Sequence, residues 1–332
     1  MPRGKRLFYG ENAELNMGQL DIRAIVFILV MLAWCRNTKT KQKPFAGYEK
    51  VSVDRLLHVD DIRIRDPFVL SDTLTGNYYM YAQMDNRLNG RGDSSKPKGV
   101  EVYRSKDLKS WTAPKTVLLL PEDFWGRNMV WAPEVHGYRG KYYLFVTITS
   151  HDELDHLKTP KGKSDWPKFY KRGTQIFVSD TPEGPFTWFD NKPHTPADWM
   201  ALDGTLWEED KVPYMVFCHE WVEIVDGTMD YVQLKKDLSK TVGAPKLMFR
   251  ASEADWTGER ERHVTDGCYL YRTKTGSLWM NLSSAIDAST SSTVLSTVTQ
   301  RPSQTSFHMC PIQLLPTRRS PRAIRVGMPW AR

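Results

Sequence analysis

Four acidic residues stand where acid–base chemistry could be done: Asp66, Asp203, Glu220 and Asp266. The clearest setting is Met200-Ala201-Leu202-Asp203-Gly204-Thr205-Leu206-Trp207, followed by Val212-Pro213-Tyr214-Met215-Val216-Phe217-Cys218-His219-Glu220-Trp221. Each segment reads as a strand, with Glu208 to Lys211 as the turn between them. In an antiparallel hairpin the start of the first strand and the end of the second share one edge. Asp203 and Glu220 are therefore expected to face one region of space, with Trp221 beside them. Two carboxylates and a broad aromatic face at one sheet edge suit a carbohydrate site.

The rest of the chain repeats this unit. Asp66-Pro67-Phe68-Val69-Leu70 leads through Gly76-Asn77 into Tyr78-Tyr79-Met80-Tyr81. Trp131-Ala132-Pro133-Glu134-Val135-His136 leads through Arg139-Gly140 into Lys141-Tyr142-Tyr143-Leu144. Asp266-Gly267-Cys268-Tyr269-Leu270-Tyr271 leads through Thr275-Gly276 into Ser277-Leu278-Trp279-Met280. Taking Asp66, Glu134 (offset by one), Asp203 and Asp266 as equivalent, the spacing is roughly 63 to 69 residues, read as a repeat period. Third strands follow at Gly99 to Ser105, Thr174 to Ser179 and Met229 to Leu234. A long period of several short strands indicates an all-β radial array, a β-propeller, with every first-strand start around one central funnel. Pro67 fits the first position of a strand, where no ladder donor is needed. Trp125 and Trp131 are candidate sugar platforms.

Charge argues against one whole class of partner. Residues 1–43 carry eight Lys/Arg against three acids, and residues 288–332 carry six Arg and no acid. Of the formal +7 of the chain, the middle keeps −4. A mildly acidic domain has no footprint for a phosphate backbone, so no nucleic acid is expected. The 39 aromatic residues suit both sheets and sugar sites.

Three domains are read along the chain: a leader over 1–43, the β domain over 44–287 and an atypical tail over 288–332. The leader holds an apolar run, Ala24 to Cys35, behind Arg23. It is short for a membrane span and the right length for the apolar region of a secretory signal. Met17 would be a natural start. Leu32-Ala33-Trp34-Cys35 is similar to a bacterial lipoprotein box, although Trp34 replaces the expected small residue. Export to the periplasm or cell surface, with a lipid or membrane tether, is the expectation. Cys218, Cys268 and Cys310 show no metal spacing and no disulfide framework, and the first two read as small buried hydrophobes. His151 to Lys171 reads as a long polar insertion between strands, with His151 and His156 as loop residues, and no metal site is assigned. After Asp287 no strand–turn–strand pattern of the earlier period is expected. The basic Ser/Thr/Pro-rich tail reads as a segment that is not the natural continuation, such as a frameshift would produce, or as a disordered basic tail.

Arg65-Asp66-Pro67, Trp131-Ala132-Pro133-Glu134, Leu202-Asp203-Gly204-Thr205-Leu206 and Thr265-Asp266-Gly267 together resemble glycoside hydrolase family 43, over about Val59 to Ala285. The resemblance implies a five-bladed β-propeller, here with the last blade missing or replaced by the unrelated tail. It implies an inverting hydrolase acting on arabinose- or xylose-containing plant polysaccharides or oligosaccharides. It makes Asp66 the general base and Asp203 the acid that orients the catalytic acid and tunes its pKa. The general acid should open the fourth repeat as Glu before Gly-Pro, where Asp266-Gly267-Cys268 stands instead. Glu220, placed by the hairpin at the edge of Asp203, is the rival for that role. Trp131, Glu134, His219 and Trp221 are the candidate substrate-binding residues, with Trp131 and Trp221 stacking on sugar and His219 reaching hydroxyls. Calcium in the central channel is implied by the resemblance alone, no ligand set in the sequence establishes any cofactor, and a monomer is expected.

Two other readings stand beside this one. Asp266 in place of Glu and the absent fifth repeat favour a carbohydrate-binding propeller without turnover. A membrane-tethered interaction scaffold is the third, because the fold alone decides no function.

Overall fold

Short runs rich in Val, Tyr, Phe and Thr alternate with turn-forming residues along this chain, a pattern that favours antiparallel strands joined by tight hairpins. The computed structural model describes residues 56–84, 98–253, 261–272, 278–285, 291–299 and 308–309, with side chains as far as Leu270. The apolar run at 24–35 and Cys310 lie outside these residues, as does most of the 288–332 tail. Among the described residues no helix is long and apolar enough to cross a membrane.

Four antiparallel sheets follow one another in chain order. The first holds β1 (Leu57–His58), β2 (Phe68–Asp72), β3 (Asn77–Gln83), β4 (Gly99–Ser105), β5 (Ser110–Trp111) and β6 (Lys115–Leu119). The second holds β7 (Met129–Tyr138), β8 (Lys141–Glu153), β9 (Tyr170–Ser179) and β10 (Thr187–Trp188). The third holds β11 (Ala201–Glu209), β12 (Val212–His219), β13 (Thr228–Leu234) and β14 (Thr241–Arg250), with the one-turn helix α1 (Trp221–Ile224) after β12. The fourth holds β15 (Tyr269–Arg272), β16 (Leu278–Ala285), β17 (Ser291–Thr299) and β18 (His308–Met309).

The hairpins follow from local chemistry. Tyr138 pairs Lys141 across Arg139 (φ 49) and Gly140 (φ 77). Glu209 pairs Val212 across Asp210 (φ 50) and Lys211 (φ 65). Two successive left-handed residues give the mirror-image turn whose twist matches that of the flanking strands. Before β3, Asp72 closes the turn by accepting the Leu74 N–H at 3.2 Å and the Thr75 hydroxyl at 2.7 Å.

Alternate side chains of a central strand pack on different sheets. On β8, Leu144, Val146 and Ile148 join Tyr81, Val100, Val102 and Phe177. Tyr143 and Phe145 face the other way, onto Met215, Phe217 and Val232. On β12 the neighbours of those residues, Val216 and Cys218, pack with Met229, Cys268 and Leu270. The sheets are thus stacked face to face in chain order, and the middle strands of the first three are buried on both faces. Each fully buried Phe or Leu contributes about 1.5–3 kcal/mol relative to exposure.

Two segments differ from the sequence reading. His151 to Glu153 extend β8 and Tyr170 to Lys171 open β9, so the insertion shortens to 154–169. Residues 291–299 pair with β16 in regular register and carry the fourth meander past Asp287. Their Val and Thr content suits a pleated strand, and the lack of charge does not oppose it.

Candidate functional site

In or just before each leading strand one residue turns left-handed. The residues are Asp66 (φ 45), Ala132 (φ 38), Asp203 (φ 53) and Gly267 (φ 60). Shortly after each, the ladder runs regularly: Phe68 with Tyr81, Glu134 with Phe145, Thr205 with Val216 and Tyr269 with Asn281. In β7 and β11 the register slips across the kink. Such a conformation costs roughly 1–3 kcal/mol at a non-glycine residue and persists only where the surroundings impose it. This corrects the equivalence drawn from sequence. Aligning acids sets Glu134 and Asp266 beside Asp66 and Asp203, whereas aligning backbones sets Ala132 and Gly267 there. Glu134 lies further along its strand, and Asp266 precedes the kink.

Asp203 is the best-held acid. Its Oδ2 accepts the Gly267 N–H at 2.8 Å, and its own N–H donates to Thr147 Oγ1 at 2.8 Å. Its carbonyl accepts the Cys268 thiol at 2.6 Å. Cys218 and Cys268 are both buried free cysteines, as read from sequence. Asp266 stands beside Asp203. Burial, then the hydrogen bond with Asp203 and the charges of Asp203, Glu220 and Asp66, push the Asp266 carboxyl up to about 9. Asp66 is exposed, with Arg65 Nη2 3.7 Å from its carboxylate.

Glu220 follows β12 directly, and its N–H donates to the Met200 carbonyl at 2.8 Å, so the hairpin brings it to the edge of Asp203 as expected. Its buried carboxylate pairs with Arg172 Nη1. Arg172 Nε donates to Thr149 Oγ1 at 2.9 Å, and its guanidinium lies 4.7 Å from the centre of the Trp131 ring. Burial raises the Glu220 carboxyl above the usual range, Arg172 opposes that rise, and the charges of Asp203 and Glu223 add to it.

The four acids therefore interact across three sheets, whereas the other expected residues are more dispersed. Trp131 has Arg172 on one face. Trp221 meets Trp166 edge-on at 5.3 Å and carries Arg262 over its ring at 4.7 Å, within the packing of the 154–169 insertion. His219 lies flat on Trp199, with centroids 4.0 Å apart and planes 10° apart, in the wall of the site and only about 10% exposed. Glu134 Oε1 accepts the Thr205 hydroxyl and meets His136 Nε2, along the leading strands. Trp125 packs on Phe124 and bonds Gln175.

Comparisons with known proteins identify the family of the fold. The model of glycosyl hydrolases family 43 matches residues 59–308. The chain belongs to that family. This family-43 chain is similar to the solved endo-arabinase of Bacteroides thetaiotaomicron, with 34% identity, 78% of this chain and 84% of that one covered, and a TM-score of 0.61. The α-L-arabinofuranosidase of Lactobacillus brevis shares the fold at 20% identity, covering 75% of this chain and 72% of that one, with a TM-score of 0.55. A curated relative, the extracellular endo-alpha-(1->5)-L-arabinanase 1 of Bacillus subtilis, is 35% identical over 60 residues, 16% of this chain and only 18% of that protein.

Arg172, Thr147, Glu223 and Trp199 touch residues of the candidate site but carry no sequence signal. Arg172 reads as one more basic residue at a strand end, and its partner Glu220 lies 48 residues away. Among the described residues no group of three or more His, Cys, Asp or Glu stands where it could hold a metal ion. The Glu134 and His136 side chains are engaged with each other and with Thr205.

Proposed function

We propose that this chain is an inverting glycosidase acting on arabinose- or xylose-containing plant polysaccharides or oligosaccharides. The observation that carries the reading is a carboxyl raised to about 9, Asp266, set beside Asp203 where the leading strands converge. An inverting hydrolase needs one carboxylate to activate water and one carboxylic acid to protonate the leaving oxygen. Asp66, exposed at the start of the first sheet, takes a proton from water. The water oxygen attacks the anomeric carbon as its bond to the leaving oxygen breaks. Asp266 gives its proton to that oxygen, and the sugar leaves with inverted configuration. Asp203 keeps the acid protonated by like-charge repulsion and by its hydrogen bond.

A second assignment has its own support. Glu220 is buried at the same edge, its carboxyl is also raised, and it is one methylene longer than Asp266. A third reading, sugar binding without turnover, draws on Asp standing where the family has Glu. The names of the similar endo-arabinase and endo-arabinanase support arabinan over other glycans, and the arabinofuranosidase and xylosidase types are both carried forward. The same reading takes the four meanders as blades of a five-bladed propeller with its fifth blade missing or replaced. It also takes the chain as a monomer exported through its apolar leader, in line with the extracellular curated relative.

Hydrolysis of chromogenic α-L-arabinofuranoside and β-D-xyloside tests the proposal. Asp66→Ala is expected to lose activity by about 10²–10⁴-fold, the usual worth of a general base. Of Asp266→Asn and Glu220→Gln, the variant rescued by an activated leaving group has lost the acid. Sugar-dependent thermal stabilisation with no turnover on either substrate or on polymeric arabinan and xylan would replace the enzyme with a binding protein.

A further inference from the structure

Glu223 lies on α1, just beyond Glu220, and belongs to none of the roles above. Its Oε2 accepts the Met200 backbone N–H at 2.6 Å and stands 2.8 Å from His219 Nε2. The Met200 carbonyl accepts the Glu220 N–H at 2.8 Å. Both backbone groups of Met200 are thus held by the segment that carries Glu220. Met200 immediately precedes β11, the strand of Asp203, and His219 ends β12, next to Glu220.

The joint is buried and stiff. Glu223 and His219 side chains are 11% and 10% exposed, and Met200 is fully buried. The imidazole is clamped flat on Trp199. Behind it, α1 ends in Val225 at φ 68, whose N–H donates to the Trp221 carbonyl at 2.7 Å. The Val225 carbonyl accepts the His263 N–H at 3.1 Å, and the Gly227 N–H returns to the His263 carbonyl at 2.8 Å. A β-branched residue held left-handed marks a backbone fixed by its surroundings. The strand of Asp203, the end of β12 with Glu220, and the segment leading to Asp266 all meet this one turn. A carboxylate accepting a backbone N–H makes a charge-assisted bond, roughly twice as strong as a neutral one.

We propose that Glu223 is a positioning residue of the hydrolytic site: its carboxylate fastens the start of β11 to the end of β12, and so sets Asp203 and Glu220 relative to one another. The inference rests on the hydrolytic reading, and Glu223 touches no sugar in it. Misplacing a reacting group by about 1 Å can cost 10²-fold in rate, so the effect belongs in kcat.

Three variants of the full chain test this: Glu223→Ala, Glu223→Gln, which keeps an oxygen for the Met200 N–H, and His219→Phe, which keeps a ring on Trp199. Glu223→Ala is expected to lower kcat by at least about tenfold with KM changed by less than about twofold, and Glu223→Gln to recover most of it. His219→Phe should fall between the two. Amide exchange at Met200 and Asp203 should quicken by about tenfold or more in Glu223→Ala but not in Glu223→Gln. Unchanged kcat in Glu223→Ala, equal losses in the Ala and Gln variants, or a loss confined to KM would overturn the inference. Should Glu223→Ala not fold, equal kcat in His219→Phe and wild type, with unchanged exchange in His219→Phe, would overturn it as well. An inactive wild type would instead sink the hydrolytic reading, and the exchange measurement would still decide whether Glu223 fastens the two strands.

Discussion

Asp66 and Asp203 share a residue type, a place at the start of a leading strand and a left-handed backbone, at φ 45 and φ 53. Their surroundings differ. Asp66 is about half exposed beside a half-exposed Arg65. Asp203 is held by Thr147, Gly267 and Cys268, groups brought from two other sheets, and it stands against Asp266. Local sequence makes the same kink twice; the neighbours decide that one acid is open to water and the other is a fixed charge inside the wall. The exposed one suits proton transfer from water, and the enclosed one suits tuning a partner.

The comparison breaks most visibly at Asp203. Asp203→Asn removes the negative charge that holds the Asp266 carboxyl high. The alkaline limb of the kcat/KM profile should move to lower pH. Beyond the limb, the protonated fraction of the acid should fall about tenfold for each whole pH step that the limb has moved. A limb that stays in place would mean that Asp203 does not tune the acid. A smaller effect is expected in stability at Asp266. Its folded carboxyl is raised to about 9 from an ordinary value of 3.8. The folded chain therefore holds a proton that the unfolded chain has released between those values. This contribution to stability is full below pH 4 and is lost as pH rises toward 9. Asp266→Asn should flatten that decline and raise Tm at pH 8 by about 2–4 °C, the change that ~1 kcal/mol gives a domain of this size. Scans at pH 5 and pH 8 check it, since the gain should shrink at the lower pH. The smallest effect belongs to the other member of the comparison. Asp66→Asn should leave stability within about ±0.5 kcal/mol in urea titration while lowering turnover by about 10²–10⁴-fold, because an exposed acid contributes little to the fold. A large loss of stability there would place Asp66 in the structure rather than in the chemistry.

Much of this architecture is legible in the order of residues. The strands of the first three meanders announce themselves by β-branched and aromatic runs, and Arg139-Gly140 announces its turn. The pairing of Ala201 with His219 follows from hairpin geometry, and with it the approach of Glu220 to Asp203. The register between repeats is less legible. Acids are conspicuous in sequence and backbone kinks are not, so an alignment on acids sets Glu134 where Ala132 stands. Trp221 and His219 read as facing sugar, because an aromatic or imidazole ring near a carboxylate suggests it. Their actual partners, Trp166, Arg262 and Trp199, come from the 154–169 insertion, the segment before Asp266 and the loop before β11.

The sequence by itself determined the antiparallel strands, the turns between them and the acids at the leading strand starts, because a period of two and a turn residue act over a few neighbouring positions. Only the tertiary structure decided which acid is exposed, which is raised and which is paired with Arg172. Those properties depend on desolvation and on charges a few ångströms away, and at this site the charges belong to different sheets, far apart along the chain.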